Sequence, residues 1–302
     1  MSGRVGHDRD DGVIRSTHVT DPDMADADLA DRVAGISWYH SIDLGGGLVT
    51  PGNPVNTEMV ARGLPEVAGR SVLDVGAWDG FYSFLAERRG ARRVVALDHY
   101  AWCVDFAARL EYWRRCEAAG ELPDHHRDLT DFYQPDVMPG RRGFDLAHEV
   151  LASRVEPVVG DFMHLGPYEL GRFDVVLFLG VLYHVREPLT ALERIRALTG
   201  EVAVIETEAV CGRRVATARL LEFHPGGELG GDHTNWFVPT ESALHALCLA
   251  AGFRRVETRI GPPSAARQAS ASARRALKRR SSTPGHAARG LHRYRIAVHA
   301  YP

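Results

Sequence analysis

Short apolar runs alternate with longer amphipathic ones through the middle of the chain, and the two periods predict strands and helices in turn. SVLDV (71–75), RRVVALD (92–98), VEPVVGD (155–161), FDVVLFLG (173–180) and EVAVIET (201–207) read as strands. GFYSFLAERR (80–89), AWCVDFAARLEYWRRCEAAG (101–120), FDLAHEVLA (144–152) and EPLTALERIRALT (187–199) read as helices. FDVVLFLG is a continuous apolar run of the kind buried on both faces of a parallel sheet. PTESALHALCLAAG (239–252) has a Ser/Thr-type start and a glycine stop, which predicts one more helix. FRRVETRI (253–260) and RYRIAVHAYP (293–302) alternate with period two and are expected to pair antiparallel. The expectation is an α/β fold, Rossmann-like, with a seven-stranded sheet and helices on both faces.

Ahead of the first strand, a short helix is expected over Asp23 to Ala34, then the irregular ISWYHSIDLGGGLVTPGNP (36–54), then a helix over VNTEMVARGLPEV (55–67). The chain divides into a polar tail and short helix (1–35), an N-terminal lid and lead-in helix (36–70), and the main domain (71–302). Turn-type composition marks an insertion at about 121–142. Acidic residues end at Glu257, beyond which ten basic residues follow, most of them in an excursion at about 262–290. Before that point 39 acidic residues face 26 basic ones, so the body is acidic and the tail basic. Such asymmetry marks either an anionic partner, nucleic acid included, or a solvated arginine-rich loop.

No apolar run reaches the roughly 18 residues of a membrane span. The first residues lack the apolar segment of a secretion signal, so a soluble, cytoplasmic protein with no membrane partner is expected. Cys103, Cys116, Cys211 and Cys248 are scattered, which fits reduced thiols. DHHRD (124–128) and the pair Asp232, His233 offer ligand atoms without a recognised spacing, so no metal is predicted.

In an open α/β sheet, ligands sit beyond the carboxyl ends of the strands, where strand order reverses. That brings together Asp74 to Gly80, Asp98 with His99, Asp161 with Phe162, and Leu179 to His184. The turn after the first strand holds only Gly76 and Gly80, so it is not the GxGxxG loop of a dinucleotide site. Gly76 and Ala77 let backbone approach a ligand, and the helix starting near Gly80 aims free N–H groups at it. Asp98 can accept both hydroxyls of a ribose. Asp161 can accept from an adenine amino group while Phe162 packs on the ring. Leu179 and Gly180 close the fourth strand beside them. An adenosine with an amino-acid tail fits these parts.

LDVGAWDG, VVALD, VVGDF and FDVVLFLGVLYHV, in this order, resemble the successive motifs of the class I S-adenosylmethionine-dependent methyltransferases. WYHSIDLGGGLVTPG, GAWDGFYSFLAERRGA and GVLYHVREPLTAL resemble, more narrowly, the tRNA wobble-uridine 5-oxyacetic acid and methoxyuridine methyltransferases. This resemblance runs from about Ile36 to the C-terminus, apart from the insertion and the basic excursion. It implies a donor that is S-adenosylmethionine or carboxy-S-adenosylmethionine. The carboxymethyl-transferring enzymes of that family place a lysine shortly after the tryptophan of the first stretch. Here the tryptophan is Trp38, the matching position is His40, and the chain's one lysine is Lys278. Tyr183 and Arg295 match family positions that help hold the donor's carboxylate or tail. Losing the lysine removes a charge partner for a buried carboxylate, which favours ordinary S-adenosylmethionine.

A hydroxyl acceptor must lose its proton, and histidine suits that role near neutral pH. His184 and His40 are the candidates, each alternatively a hydrogen-bonded structural residue, with Tyr183 beside the first. Trp38 of the lid and Glu206 and Glu208, read as loop carboxylates, could bind a polar acceptor. EFHPGGELGGDHTNWFVPT (222–240) resembles the family's acceptor-side loop, which implies that Asn235, Trp236 and Phe237 line the pocket. Three functions follow: O-methylation of a small molecule, transfer of a methyl or carboxymethyl group to a tRNA wobble uridine, or donor binding without catalysis.

Overall fold

The computed structural model describes residues 22–212, 215, 217–264 and 291–302. The polar stretch before residue 22 and nearly all of the basic excursion lie outside them. Helix α1 (Pro22–Ala34) is followed by an irregular lid. The domain then runs through β1 (Ser71–Val75), α2 (Phe81–Arg88), β2 (Arg93–Asp98), α3 (Tyr100–Cys103), α4 (Phe106–Ala119), α5 (His125–Thr130), α6 (Arg142–Val150) and β3 (Glu156–Val159). Next come α7 (Pro167–Leu170), β4 (Phe173–Leu179), α8 (Pro188–Leu198), β5 (Thr199–Cys211), β6 (Leu221–Phe223) and β7 (Phe237–Pro239). The last elements are α9 (Glu241–Ala250), β8 (Arg255–Ile260) and β9 (His292–Tyr301).

The main sheet has the order β3-β2-β1-β4-β5-β9-β8. The first five strands are parallel, and β9 inserts antiparallel between β5 and β8. Order reverses between β1 and β4, so their carboxyl ends open the crevice that holds ligands in such folds. Period-two alternation sorts the core. Val72, Ala96, Val175, Leu177, Val202, Val204 and Ala297 share one face with Phe84 of α2, Phe144 of α6 and Ile42 of the lid. Leu73, Val75, Val95, Val176, Phe178, Ala203, Ile205 and Val298 share the other with Leu192 and Ile195 of α8 and Leu244 of α9.

Five predicted elements differ. Residues 55–67 form only a five-residue π-helical turn, Met59–Gly63, because Gly63 and Pro65 interrupt the helical run. The helix expected over 101–120 breaks in two: Val104 bridges to Tyr133, and Asp105 caps α4 by accepting from the Ala108 N–H at 3.0 Å. The insertion is not loop throughout, since Asp124 caps α5 and α6 starts at Arg142. Strand β5 continues four residues past Thr207, paired with β9 from Ala203 to Cys211, so Glu206 and Glu208 are strand residues. The acceptor-side loop expected over 222–240 begins and ends in a separate two-stranded ribbon, β6 with β7.

Candidate active site

A cavity of about 570 Å³ lies over the carboxyl ends of β1, β2 and β4. Asp74, Gly76, Ala77, Asp98, His99, Asp161, Phe162, Leu179 and Gly180 all line it. Alternation along β1 turns Asp74 toward α2, where the Ser83 hydroxyl donates to it at 2.7 Å. Gly76 has φ +77°, and a Cβ there would stand 2.5 Å from Val181 Cγ2, so only glycine fits. Asp98 accepts from the Trp78 and Ala101 N–H groups, each at 2.9 Å, one per carboxylate oxygen. Burial pushes both the Asp74 and Asp98 carboxyls up to about 6.

Beside the carboxyl end of β4, register alone sets up an ion-pair cluster. Leu179 of β4 lies opposite Glu206 of β5, while Glu208 and Arg295 face each other across the β5–β9 ladder. Glu206 stands one pleat along on the same face, within reach of a long side chain. Arg295 donates Nε and Nη2 to the two Glu206 carboxylate oxygens. Its Nη1 reaches the Tyr183 hydroxyl at 3.2 Å and Glu208 Oε1 at 3.4 Å. Burial works against the Arg295 charge, but Glu206 outweighs it and holds the guanidinium above its ordinary value. Burial pushes the Tyr183 phenol up to about 12, so it acts as a hydrogen-bonding group and not as a base.

Of the histidines that border the cavity, His40 and His184 are each tied down at Nδ1. His184 Nδ1 lies 2.9 Å from Thr234 Oγ1 and 3.2 Å from the Thr234 carbonyl. A carbonyl only accepts, so Nδ1 carries the hydrogen and the Nε2 lone pair is left for another partner. Thr234 in turn donates its hydroxyl to Asp232 at 2.6 Å. Burial holds the His184 imidazole below the usual histidine range, which keeps it neutral and basic at pH 7. His40 Nδ1 lies 2.5 Å from Asp79 Oδ1, and the Tyr39 and His40 N–H groups donate to Asp79 Oδ2 at 3.0 and 2.6 Å. Asp79 thereby clips the lid onto the glycine turn.

A family model described as a methyltransferase domain matches residues 56–258. The chain belongs to the methyltransferase-domain family. It is an S-adenosylmethionine-dependent methyltransferase, and the strand-end carboxylates and side-chain-free turn at Gly76 fit that cofactor. A tRNA U34 carboxymethyltransferase of Geobacter sp. (strain M21) is 28% identical to it over 198 residues, 64% of this chain and 48% of the relative. That of Pseudomonas aeruginosa (strain LESB58) is 30% identical over 192 residues, 62% and 46% of the two chains. The chain thus spans about half the length of these curated relatives. In fold it is similar to the N-terminal domain of EvdMO1 with SAH bound, at TM-score 0.56 and 19% identity, covering 95% of this chain and 99% of that one.

Not every residue expected at the site of this methyltransferase reaches the cavity. Gly80 lines the core instead: a Cβ there would stand 2.6 Å from Phe84 and 2.7 Å from Phe144. Trp38 is buried, with Nε1 donating to the Val33 carbonyl at 2.9 Å and its ring against Gly143, so it anchors the lid from behind. Asn235 turns away to donate to the Leu229 carbonyl at 2.7 Å, and Phe237 pairs with Phe223 in the ribbon. Their neighbour Trp236 does line the cavity, as do Glu206 and Arg295; Glu208 touches Arg295 from behind. Sequence reasoning gave no individual role to Trp78, Asp79, Arg109 or Thr234, and weighed His125 only as a metal ligand. Asp79 lies inside the quoted GAWDG turn but was legible only as a turn residue, and Arg109 only as one helix position among many.

Proposed function

We propose that the enzyme transfers a methyl group from ordinary S-adenosylmethionine to a hydroxyl of a small molecule. The observation that carries this reading is the pairing of Arg295 with Glu206 and Glu208. The guanidinium that could bind a second donor carboxylate already has two carboxylates of the protein around it. His40, bonded to Asp79, stands where the carboxymethyl-transferring enzymes are expected to carry lysine. At Arg295 an added carboxylate would meet repulsion from Glu206 and Glu208, at a cost of several kcal/mol in a buried site.

S-adenosylmethionine supplies an electrophilic methyl group on sulfur. The chain supplies alignment, exclusion of water and a proton acceptor. His184, fixed by Thr234 and Asp232, presents Nε2 to the acceptor hydroxyl and takes its proton as the oxygen becomes a nucleophile. His40 and Tyr183 border the same space and orient the acceptor. The size and cover of the cavity also support a small acceptor. At about 570 Å³ it falls within the ordinary range for a small-molecule site, and Tyr39 and His40 of the lid, His125 of α5, and Asp232, Thr234 and Trp236 border it.

A second reading, transfer to the tRNA wobble uridine, is supported by the curated relatives named above. Purified enzyme is incubated with methyl-labelled S-adenosylmethionine and either unmodified total tRNA or a small-molecule extract of its host. Label in the small-molecule fraction alone is the expected result. Label in tRNA alone would replace the first reading with the second.

A further inference from the structure

Arg109 of α4 borders the cavity and is only 3% exposed. Its guanidinium carbon lies 4.4 Å from the centre of the Trp113 ring, 4.8 Å from that of Phe106 and 5.5 Å from that of Tyr100. Nη1 donates to the Tyr100 hydroxyl, and Nε has no hydrogen-bond partner. Among the described residues no carboxylate pairs with it. Arg295, in contrast, holds Glu206 in a two-pronged ion pair.

A buried cation is ordinarily paired, because removal from water disfavours its charge. Aromatic faces offset part of that loss but give the N–H groups no acceptor in the guanidinium plane. A carboxylate or phosphate oxygen pair supplies both the counter-charge and the acceptors, in the geometry a guanidinium fork matches. The field of Arg109 also reaches His184, which puts the two at the same end of the cavity.

Beside Arg109 runs a stack of rings. Tyr39 lies on Trp78 at 4.3 Å between centres, and Trp78 on Phe106 at 4.8 Å, both nearly parallel. Trp78 holds this place with φ +47°, a left-handed conformation that is rare for a large side chain. Its N–H donates to Asp98, and its carbonyl accepts from Trp102 Nε1 at 2.5 Å. The strained backbone therefore serves the position of the indole.

We infer that the methyl acceptor carries an anionic group, a carboxylate or a phosphate ester on a flat body, and that this group pairs with Arg109. The inference rests on the small-molecule reading above and narrows it to acidic acceptors. Enzyme saturated with SAH is titrated calorimetrically with 4-hydroxybenzoate, its neutral methyl ester, phenyl phosphate and phenol. At least one anion should bind ten-fold or more tightly than its neutral counterpart. Tighter 4-hydroxybenzoate indicates a carboxylate, and tighter phenyl phosphate a phosphate ester.

Arg109→Gln should abolish the preference while leaving the neutral probes and SAH affinity within two-fold. Arg109→Lys, which keeps the charge, should retain part of it and guards against misfolding. Equal binding of anion and neutral counterpart by the wild type would overturn the inference. So would a preference that survives in Arg109→Gln, or a ten-fold loss of SAH affinity in that variant, which would assign Arg109 to the donor. Label transfer to tRNA would remove the small-molecule reading without touching these binding ratios, so the two failures are distinguishable.

Discussion

The donor end and the acceptor end of the cavity are built by different means. The proposed donor end comes from consecutive strand termini and the turns after them: Asp74 to Ala77, Asp98 with His99, and Leu179 with Gly180. Each residue is placed by the pleat and register of a buried parallel sheet, so local sequence largely fixes its position. The acceptor end is assembled from parts far apart in the chain. Its lid clips to Asp79, the proposed base His184 is oriented by Thr234, and its arginines come from α4 and β9. Donor binding is consequently a property of the sheet, and acceptor choice a property of what is laid across it.

Substitutions should separate the two ends, the largest effect falling on chemistry. His184→Ala should lower kcat by roughly 10²- to 10⁴-fold with SAH affinity unchanged, measured by steady-state kinetics and titration. Asp98→Ala should do the reverse. Losing even one charged hydrogen bond, worth about 1.5 to 3 kcal/mol, would weaken SAH binding by roughly ten- to a hundred-fold.

Acidity gives the donor end a second signature. The folded-state value of Asp74, about 6, lies above its unfolded value. Its contribution to stability is therefore present at low pH and lost as pH rises through about 6. Asp74→Asn, a neutral isostere, should gain on the wild type in ligand-free thermal unfolding between pH 4 and pH 7, by up to roughly 3 kcal/mol. Asp98 has the same elevated value, so SAH affinity of the wild type should fall as pH drops below about 6.

Smaller effects sharpen the boundary. Thr234→Val removes the hydrogen bond that orients His184, a loss of about 0.5 to 1.5 kcal/mol, and should lower kcat by up to roughly ten-fold without changing SAH affinity. Phe237→Leu, in the ribbon and away from the cavity, should change kcat/KM by less than about two-fold.

The same contrast explains what could be read from sequence. Alternation and continuous apolar runs were enough for the strands of the main sheet, and strand ends for the cavity-lining residues that follow them, because both follow from local periodicity. Glu206 and Glu208 were misread as loop carboxylates, since where a strand stops depends on how far its partner β9 runs beside it. Trp38 and Asn235 were misplaced for a related reason: each satisfies a backbone carbonyl, of Val33 and Leu229, whose position no local pattern reveals. Asp79 and Thr234 gained meaning only once the fold had brought a histidine to each.

The occupied state of Arg295 is tested most directly by titrating the wild-type enzyme with S-adenosylmethionine and with carboxy-S-adenosylmethionine under identical conditions. The expected result is tighter binding of S-adenosylmethionine by at least ten-fold, with the gap narrowing in Glu206→Gln. Equal or tighter binding of carboxy-S-adenosylmethionine by the wild type would contradict it and return the enzyme to carboxymethyl transfer.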